Sequence, residues 1–444
     1  MTTASERTDT SGMARAPDKL RRPGYSPAAN AGVGRRGLHT RDRILGCAAE
    51  VFLANGFHAT SLDVIAKAAH ASRATVYQYF AGKEEIFREL SALAERDVLA
   101  HGEHLGQLAP TADGVHALHR WLVEWADIYD AHAAVFAEFP GIGTATGLSV
   151  IDASAAAQEF HRMVTDRLRG TRLGELEVDD AAAAVGRIPH MVHLYRYREL
   201  FPLPARATLS WSLTVALQLM LFPETPDDVL QEATPDVTEA CVRTRPCALN
   251  SAGAAPAVTD TPGSPIRQDV LSVSSALFAE RGYYAIGMDE IAAAADVSRA
   301  TLYRYFSTKD KILAELTRRA VFEIEEHAAA LPAMAPDSLT EWMRGYVRFH
   351  RTYRGVIRAW FDGTVAEQLS GADVDHGIGT IHQAVAALLS TVDLPAGIDA
   401  DVAGAVFMAV LGRMSEPATA STPDSDERAA DLMVKLLRRA LLRP

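Results

Sequence analysis

The chain is predicted to be all-α, with two tandem units, each a three-helix helix-turn-helix domain followed by a second, larger helical domain. Residues 61–83, SLDVIAKAAHASRATVYQYFAGK, and 287–309, GMDEIAAAADVSRATLYRYFSTK, align without gaps at an offset of 226 (287 − 61). WLVEWADIYDAHAAVFAEF from Trp121 and WMRGYVRFHRTYRGVIRAW from Trp342 keep aromatic and apolar positions in register at a second offset, 221 (342 − 121). No stretch alternates with period two for long, and Pro and Gly fall between the apolar runs. The repeat is far longer than a solenoid unit, so it is a duplicated domain set.

Residues 1–37 read as a basic arm without periodicity. Residues 1–43 hold nine Lys or Arg against four Asp or Glu. The arm is either a solvated tail or a phosphate-neutralising element, with Arg35, Arg36 and Arg41 just ahead of the first reading domain. A first helix follows from about Thr40 to Asn55, with Ile44, Leu45, Ala48, Val51 and Phe52 in one stripe and Gly56 placed to end it. Val270, Leu271, Ser274, Leu277 and Phe278 repeat that stripe before Gly282. In the second helix Leu62, Ile65, Ala66 and Ala69 follow i, i+3, i+4, i+7, with Ser61 as N-cap. Ser72 caps a third helix that turns Val76 and Phe80 inward and leaves Arg73, Ala74, Thr75, Gln78 and Tyr79 outward. A helical hairpin buried in a core is the alternative. It does not explain an outward Ser-Arg-Ala-Thr face kept identical while Val64/Glu290 and Lys67/Ala293 differ.

These residues resemble the DNA-binding domain of the tetracycline-repressor (TetR) family, whose pattern runs roughly T-x-x-x-I-A-x-x-A-G-V-S-x-x-T-L-Y-x-H-F-x-x-K. Ile65-Ala66, Ala69, Ser72, Thr75-Val76-Tyr77, Phe80 and Lys83 match it in the first copy. Ile291-Ala292, Ala295, Val297-Ser298, Thr301-Leu302-Tyr303, Phe306 and Lys309 match it in the second. The family's turn glycine is replaced by His70 and Asp296, residue types that tolerate left-handed backbone better than most. Its opening threonine is Ser61 in copy one and Gly287 in copy two, so copy two lacks the hydroxyl that in the family helps hold a phosphate. The resemblance implies double-stranded DNA as partner and a transcriptional regulator, read as a ligand-responsive repressor. The alternative is an interaction or scaffold protein whose second repeat serves only as a dimerisation partner.

Side-chain chemistry divides the candidate DNA face. Thr75, Tyr77 and Lys83, with Thr301, Tyr303 and Lys309, suit phosphate oxygens, and the family uses these positions in that way. Arg73 and Arg299 can fork to guanine, Ala74 and Ala300 can touch a thymine methyl, and Gln78 suits adenine where Arg304 suits guanine or phosphate. Ser61, Ser72, Ser298 and Arg41 complete the set. Partial burial of Tyr77 and Tyr303 against the third helix is the competing reading.

The remaining chain divides as 38–90 and 91–242, a linker 243–265, then 266–316 and 317–444. Trp121, Trp125, Tyr129, Phe136 and Phe139 in one half, and Trp342, Tyr346, Phe349, Trp360 and Phe361 in the other, suit a small apolar effector, although such stripes also form ordinary cores. Each half closes on a helix pair, Asp179–Leu200 with Ala205–Phe222 and Asp399–Met414 with Asp426–Leu442. In the family such pairs join two protomers, so the chain is expected as an intramolecular pseudo-dimer, with a dimer of chains as the alternative. The linker's flexible reach, on the order of 25 Å, permits the first.

The net charge of −12 describes the whole chain, whereas phosphate binding depends on local charge. Cys47, Cys241 and Cys247 form no disulfide framework or zinc pair. His161, His190 and His193 lack an acidic partner for a metal, and Asp373, Asp375 and His376 read as a solvated Gly-rich loop. No catalytic motif occurs, so neither enzyme activity nor a cofactor is expected. The N-terminus has no secretory core and Leu209–Phe222 is too short to span a membrane, so a cytoplasmic protein is expected.

Overall fold

The computed structural model describes residues 35–137, 153–235, 264–334, 338–360, 369, 371–419 and 421–443. The arm to residue 34, the side chains of Arg35 and Arg36, nearly all of the linker, Phe139 and Phe361 lie outside the described residues. Within them every regular element is a helix.

The first head comprises α1 (Arg35–Asn55), α2 (Leu62–Ala68) and α3 (Arg73–Tyr79). α1 stops because Gly56 takes φ 77°, a left-handed conformation that costs glycine little, while its N–H donates to Phe52 O at 2.8 Å. Ser61 Oγ accepts from Val64 N at 3.4 Å and Ser72 Oγ from Thr75 N at 3.0 Å, so both expected caps form. His70 bridges them at φ 46°. The second head repeats this with α11 (Pro265–Arg281), α12 (Met288–Ala294) and α13 (Arg299–Tyr305), with Asp296 at φ 51°. Gly287 has no side chain to cap α12; instead its own N–H donates to Glu290 Oε2 at 2.8 Å. Ile44, Phe52, Ile65, Val76 and Phe80 are buried in one head, as are Val270, Phe278, Ile291, Leu302 and Phe306 in the other.

From the first head the chain continues through α4 (Lys83–Glu103), α5 (Ala112–Ala131), α6 (Ala133–Phe136), α7 (Ala153–Leu168), α8 (Val178–Tyr197), α9 (Arg206–Leu221) and α10 (Asp227–Glu232). The second half follows with α14 (Lys309–Ala330), α15 (Leu339–Trp360), α16 (Gly371–Leu389), α17 (Ala400–Arg413) and α18 (Asp426–Ala440). The stretch holding Asp373, Asp375 and His376 is not a loop. It belongs to α16, because Val374, Ile378, Ile381 and Val385 recur at helical spacing and are buried, while His376 Nε2 lies 2.7 Å from Glu325 Oε1.

α8 and α9 pack directly on α17 and α18, so the four closing helices form one bundle within a single chain. Runs of small buried residues, Ala181–Ala184 in α8 and Ala403–Ala405 in α17, permit close approach. Polar bonds fix the register. Arg187 donates to the carbonyls of Arg413, Glu416 and Pro417 at 3.2, 2.9 and 2.8 Å, satisfying the carbonyl-rich end of α17. Arg439 donates to Leu173 O and Met220 O at 3.1 Å each. Ser212 Oγ donates to Gly397 O and accepts from Asp399 N, at 3.1 and 3.0 Å.

Candidate nucleic-acid interface

The exposed side chains of α3 are Arg73, Ala74, Tyr77 and Gln78, and those of α13 are Arg299, Ala300, Tyr303 and Arg304. Thr75 and Thr301 are half-buried beside them, and each hydroxyl contacts that of its capping Ser72 or Ser298, at 2.8 and 2.9 Å. Tyr77 and Tyr303 are 38% and 51% exposed, so both side chains reach the surface while part of each stays covered, as the partial-burial reading expects. Tyr79 does not point out as expected. Its ring and that of Tyr305 pack on the core, because the buried face of a two-turn helix extends past Val76 and Phe80.

Both recognition arginines are held by a carboxylate of the preceding helix: Arg73 Nε lies 3.3 Å from Asp63 Oδ1 and Arg299 Nη2 lies 2.5 Å from Asp289 Oδ2. The hydrogen bond from Arg73 to Tyr77 and the Asp63 charge both favour its charged form. These ion pairs are well exposed and therefore weak, so a guanine fork or a phosphate can displace them. Asp63→Ala is accordingly expected to strengthen DNA binding roughly two- to fivefold in a gel-shift titration. A weaker complex would show that Asp63 positions Arg73 for the duplex. Neither aspartate was singled out by motif matching, although both stand at the 226 offset.

Three cations expected on phosphate are engaged inside the fold. Lys83 Nζ donates to Phe57 O, His58 O and Thr60 O at 2.8, 3.1 and 2.8 Å, which occupies its three protons on the α1–α2 loop. Lys309 Nζ donates to Tyr283 O and Ile286 O at 2.7 and 2.8 Å, and burial lowers its pKa. Arg41 forms a forked pair with Glu89 across α1 and α4 and covers the Phe80 ring, its guanidinium carbon 5.1 Å from the centroid. Arg267 repeats this with Glu315 and Phe306. These residues tie each head to the helix leaving it, because carbonyls and a carboxylate lie nearer than solvent. Ser61 is exposed, with its hydroxyl proton still directed at no described acceptor.

The two heads also touch. His58 stacks on Tyr284 with ring centroids 3.8 Å apart and 25° between planes. Positions 58 and 284 are equivalents at the 226 offset (284 − 58), so the contact is isologous and marks a pseudo-two-fold relation between the heads.

The expected effector aromatics divide by what they touch. Trp121 Nε1 donates to His101 O at 3.1 Å and Trp342 Nε1 to His327 O at 3.0 Å, so these two indoles pin α5 to α4 and α15 to α14. Phe349 packs between Tyr346 and Tyr353. Trp125, Tyr129 and Phe136 form a closed stack with His193, Tyr129 and Phe136 lying 4.9 Å apart between centroids. Here Trp125 Nε1, Tyr129 Oη and both His193 ring nitrogens are buried without a hydrogen-bond partner among the described residues. Burial lowers His190 and His193 to about 3, which keeps both neutral. Only Tyr346 and Trp360 of the expected set line a described cavity, of about 80 Å³. No group of His, Cys, Asp and Glu with metal-site geometry occurs among the described residues, and no described helix is long and apolar enough to cross a membrane.

Fold and site together define two helix-turn-helix heads, each with a recognition helix whose polar face is exposed, joined in one chain through a helical bundle. Residues 44–90 and 270–316 both match the family described as bacterial regulatory proteins, tetR family. Both heads are therefore tetR-family DNA-binding domains, carried in tandem. The chain is 36% identical over 58 residues to the HTH-type transcriptional regulator QacR of Staphylococcus aureus, covering 13% of this chain and 31% of that protein. It is 44% identical over 55 residues to the HTH-type transcriptional activator FasR of Mycolicibacterium smegmatis, covering 12% and 25%. Thus it spans only about a quarter to a third of these relatives' lengths. Among solved structures, the TetR family transcriptional regulator PfmR from Thermus thermophilus is 29% identical, with 36% of this chain and 84% of that one covered and a TM-score of 0.30.

Proposed function

We propose that the chain is a transcriptional regulator that reads one bipartite DNA site as an internal pseudo-dimer, and that a small effector taken up by its helical body changes how the heads are spaced. The observation that carries this reading is the bundle of α8, α9, α17 and α18, which joins two DNA-binding domains of one chain as a family dimer joins two chains. Two recognition helices related by a pseudo-two-fold would meet half-sites about one helical turn apart, ~34 Å. The half-sites are unequal, because Gln78 suits adenine at the position where Arg304 suits guanine or phosphate. An effector acts here by binding two head arrangements with different affinity, one of them the His58–Tyr284 contact.

Selection of genomic fragments followed by footprinting tests this. Arg73→Ala is expected to weaken protection of one half-site and Arg299→Ala that of the other, while Gln78→Arg makes the selected site more symmetric. Loss of protection with Arg73→Ala but none with Arg299→Ala would instead support the reading in which the second repeat only dimerises.

A further inference from the structure

We infer that the cavity between the two halves is a binding site for an amphipathic anion, an apolar body carrying one acidic group, recognised by Arg354 and Arg358. This deepens the effector reading above and rests on it for its regulatory meaning, though not for binding itself.

The cavity's apolar wall comes from Ile324, Tyr346, Trp360, Ile378 and Met408. Its polar rim is cationic: Arg354, Arg358 and Arg413 line it against a single carboxylate, Glu416. Arg413 lies 3.6 Å from Glu416, whereas Arg354 and Arg358 form no ion pair or hydrogen bond among the described residues. Burial lowers the pKa of Arg358; Glu416 opposes this, but Arg413 and Arg354 act with the burial, so the net shift is downward. Glu416 is also buried, but the surrounding arginines and His350 hold it ionised, down to about 2. One more anion would complete this cluster, and the apolar wall requires that it carry a greasy body. Nearby arginines do not share the role: Arg187 is bonded to carbonyls, and Arg351 is paired with Asp424 and Asp426.

The duplication makes the site specific to one half. At the 221 offset, Arg354 and Arg358 stand where the first half has Ala133 and Ala137, both buried beside the closed Trp125–Tyr129–Phe136 stack. Two neutral methyl groups there offer an anion nothing.

The walls also come from both halves of the chain. Met191, Tyr195 and Phe201 come from the first half and the other walls from the second. At about 80 Å³ the space is well below the ~300–1,000 Å³ of typical small-molecule sites, so a larger ligand displaces one half against the other. The turn of α15 that carries both arginines lies directly on the second head. A Cβ at Gly355 would meet the backbone at Ala279 N and, at 2.7 Å, Phe278 C, and Ser275 Oγ donates to Thr352 O at 2.6 Å.

Calorimetry on the full chain at pH 7.5 with decanoate, decyl phosphate and decanol provides the test. The site predicts one decanoate per chain, decanol bound at least tenfold more weakly, and a tenfold or greater loss for both Arg358→Met and the exposed Arg354→Met, each checked for an unchanged helical spectrum. Tighter binding of decyl phosphate than decanoate supports the same site and assigns the acidic group as phosphate. Equal binding of decanoate and decanol, no binding of either anion, or unchanged affinity in both variants overturns it. Gel shifts separate this from the effector reading. Binding as predicted without any change in DNA affinity keeps the site and rejects the effector reading, whereas decanoate that releases DNA equally from the Arg358→Met chain does the reverse.

Discussion

Lowering the pH from 7.5 to 5 is expected to remove about 6 kcal/mol of folding stability, measured by urea unfolding at each pH. The three most enclosed histidines account for this much: burial lowers His101 and His350 to about 4 and His193 to about 3, and the half-buried His190 and His382, lowered to about 3 and about 4, add in the same direction. A depressed histidine means that the unfolded chain binds protons first. The stabilisation is complete above the unfolded value near 6.5 and is lost as pH falls from there towards the folded values. Over the 1.5 units from 6.5 to 5 this amounts to about 2 kcal/mol per histidine. Equal stability at pH 7.5 and 5 would mean that these imidazoles are hydrated or protonated in the folded chain.

The second large effect concerns the contact between the halves. Arg428→Ala is expected to cost about 3–5 kcal/mol, because Arg428 Nη2 donates to Asp180 Oδ2 at 2.8 Å and the Asp180 side chain is only 6% exposed. Without the guanidinium a carboxylate stays buried in the α8–α18 region with no ion-pair partner, and only Arg187, already bonded to carbonyls, acts on it at longer range. Adding Asp180→Asn to Arg428→Ala should recover much of that loss, since the uncompensated charge is then gone. A loss under 1 kcal/mol for the single variant would show that water reaches Asp180 and that the bundle is looser than described.

The heads were legible in the sequence because every local signal agreed. Caps at Ser61 and Ser72, the apolar stripes, Gly56 and the tolerant turn residue His70 all act within a few residues, and the second copy repeated most of them. Long-range partnerships were not legible. A lysine at the start of a helix reads as a phosphate ligand until Phe57, His58 and Thr60 carbonyls, 23 to 26 residues earlier, prove to surround it. Arg41 likewise finds Glu89, 48 residues on. The aromatic stripes were ambiguous for a related reason: Trp342, Tyr346 and Trp360 share helical spacing, yet packing of α14, α16 and α17 decides which of them meets a cavity. The arginines of that cavity carried a sequence signal that aromatic counting overlooked, namely Arg354 and Arg358 opposite Ala133 and Ala137 in the repeat.

Mass measurement of the protein alone and bound to a selected DNA fragment, at concentrations from nanomolar upwards, tests the pseudo-dimer most directly. The account predicts one chain in solution and one chain per bipartite site, with both half-sites protected. A stable mass of two chains at the lowest concentration, with a footprint over two separate palindromes, would contradict it.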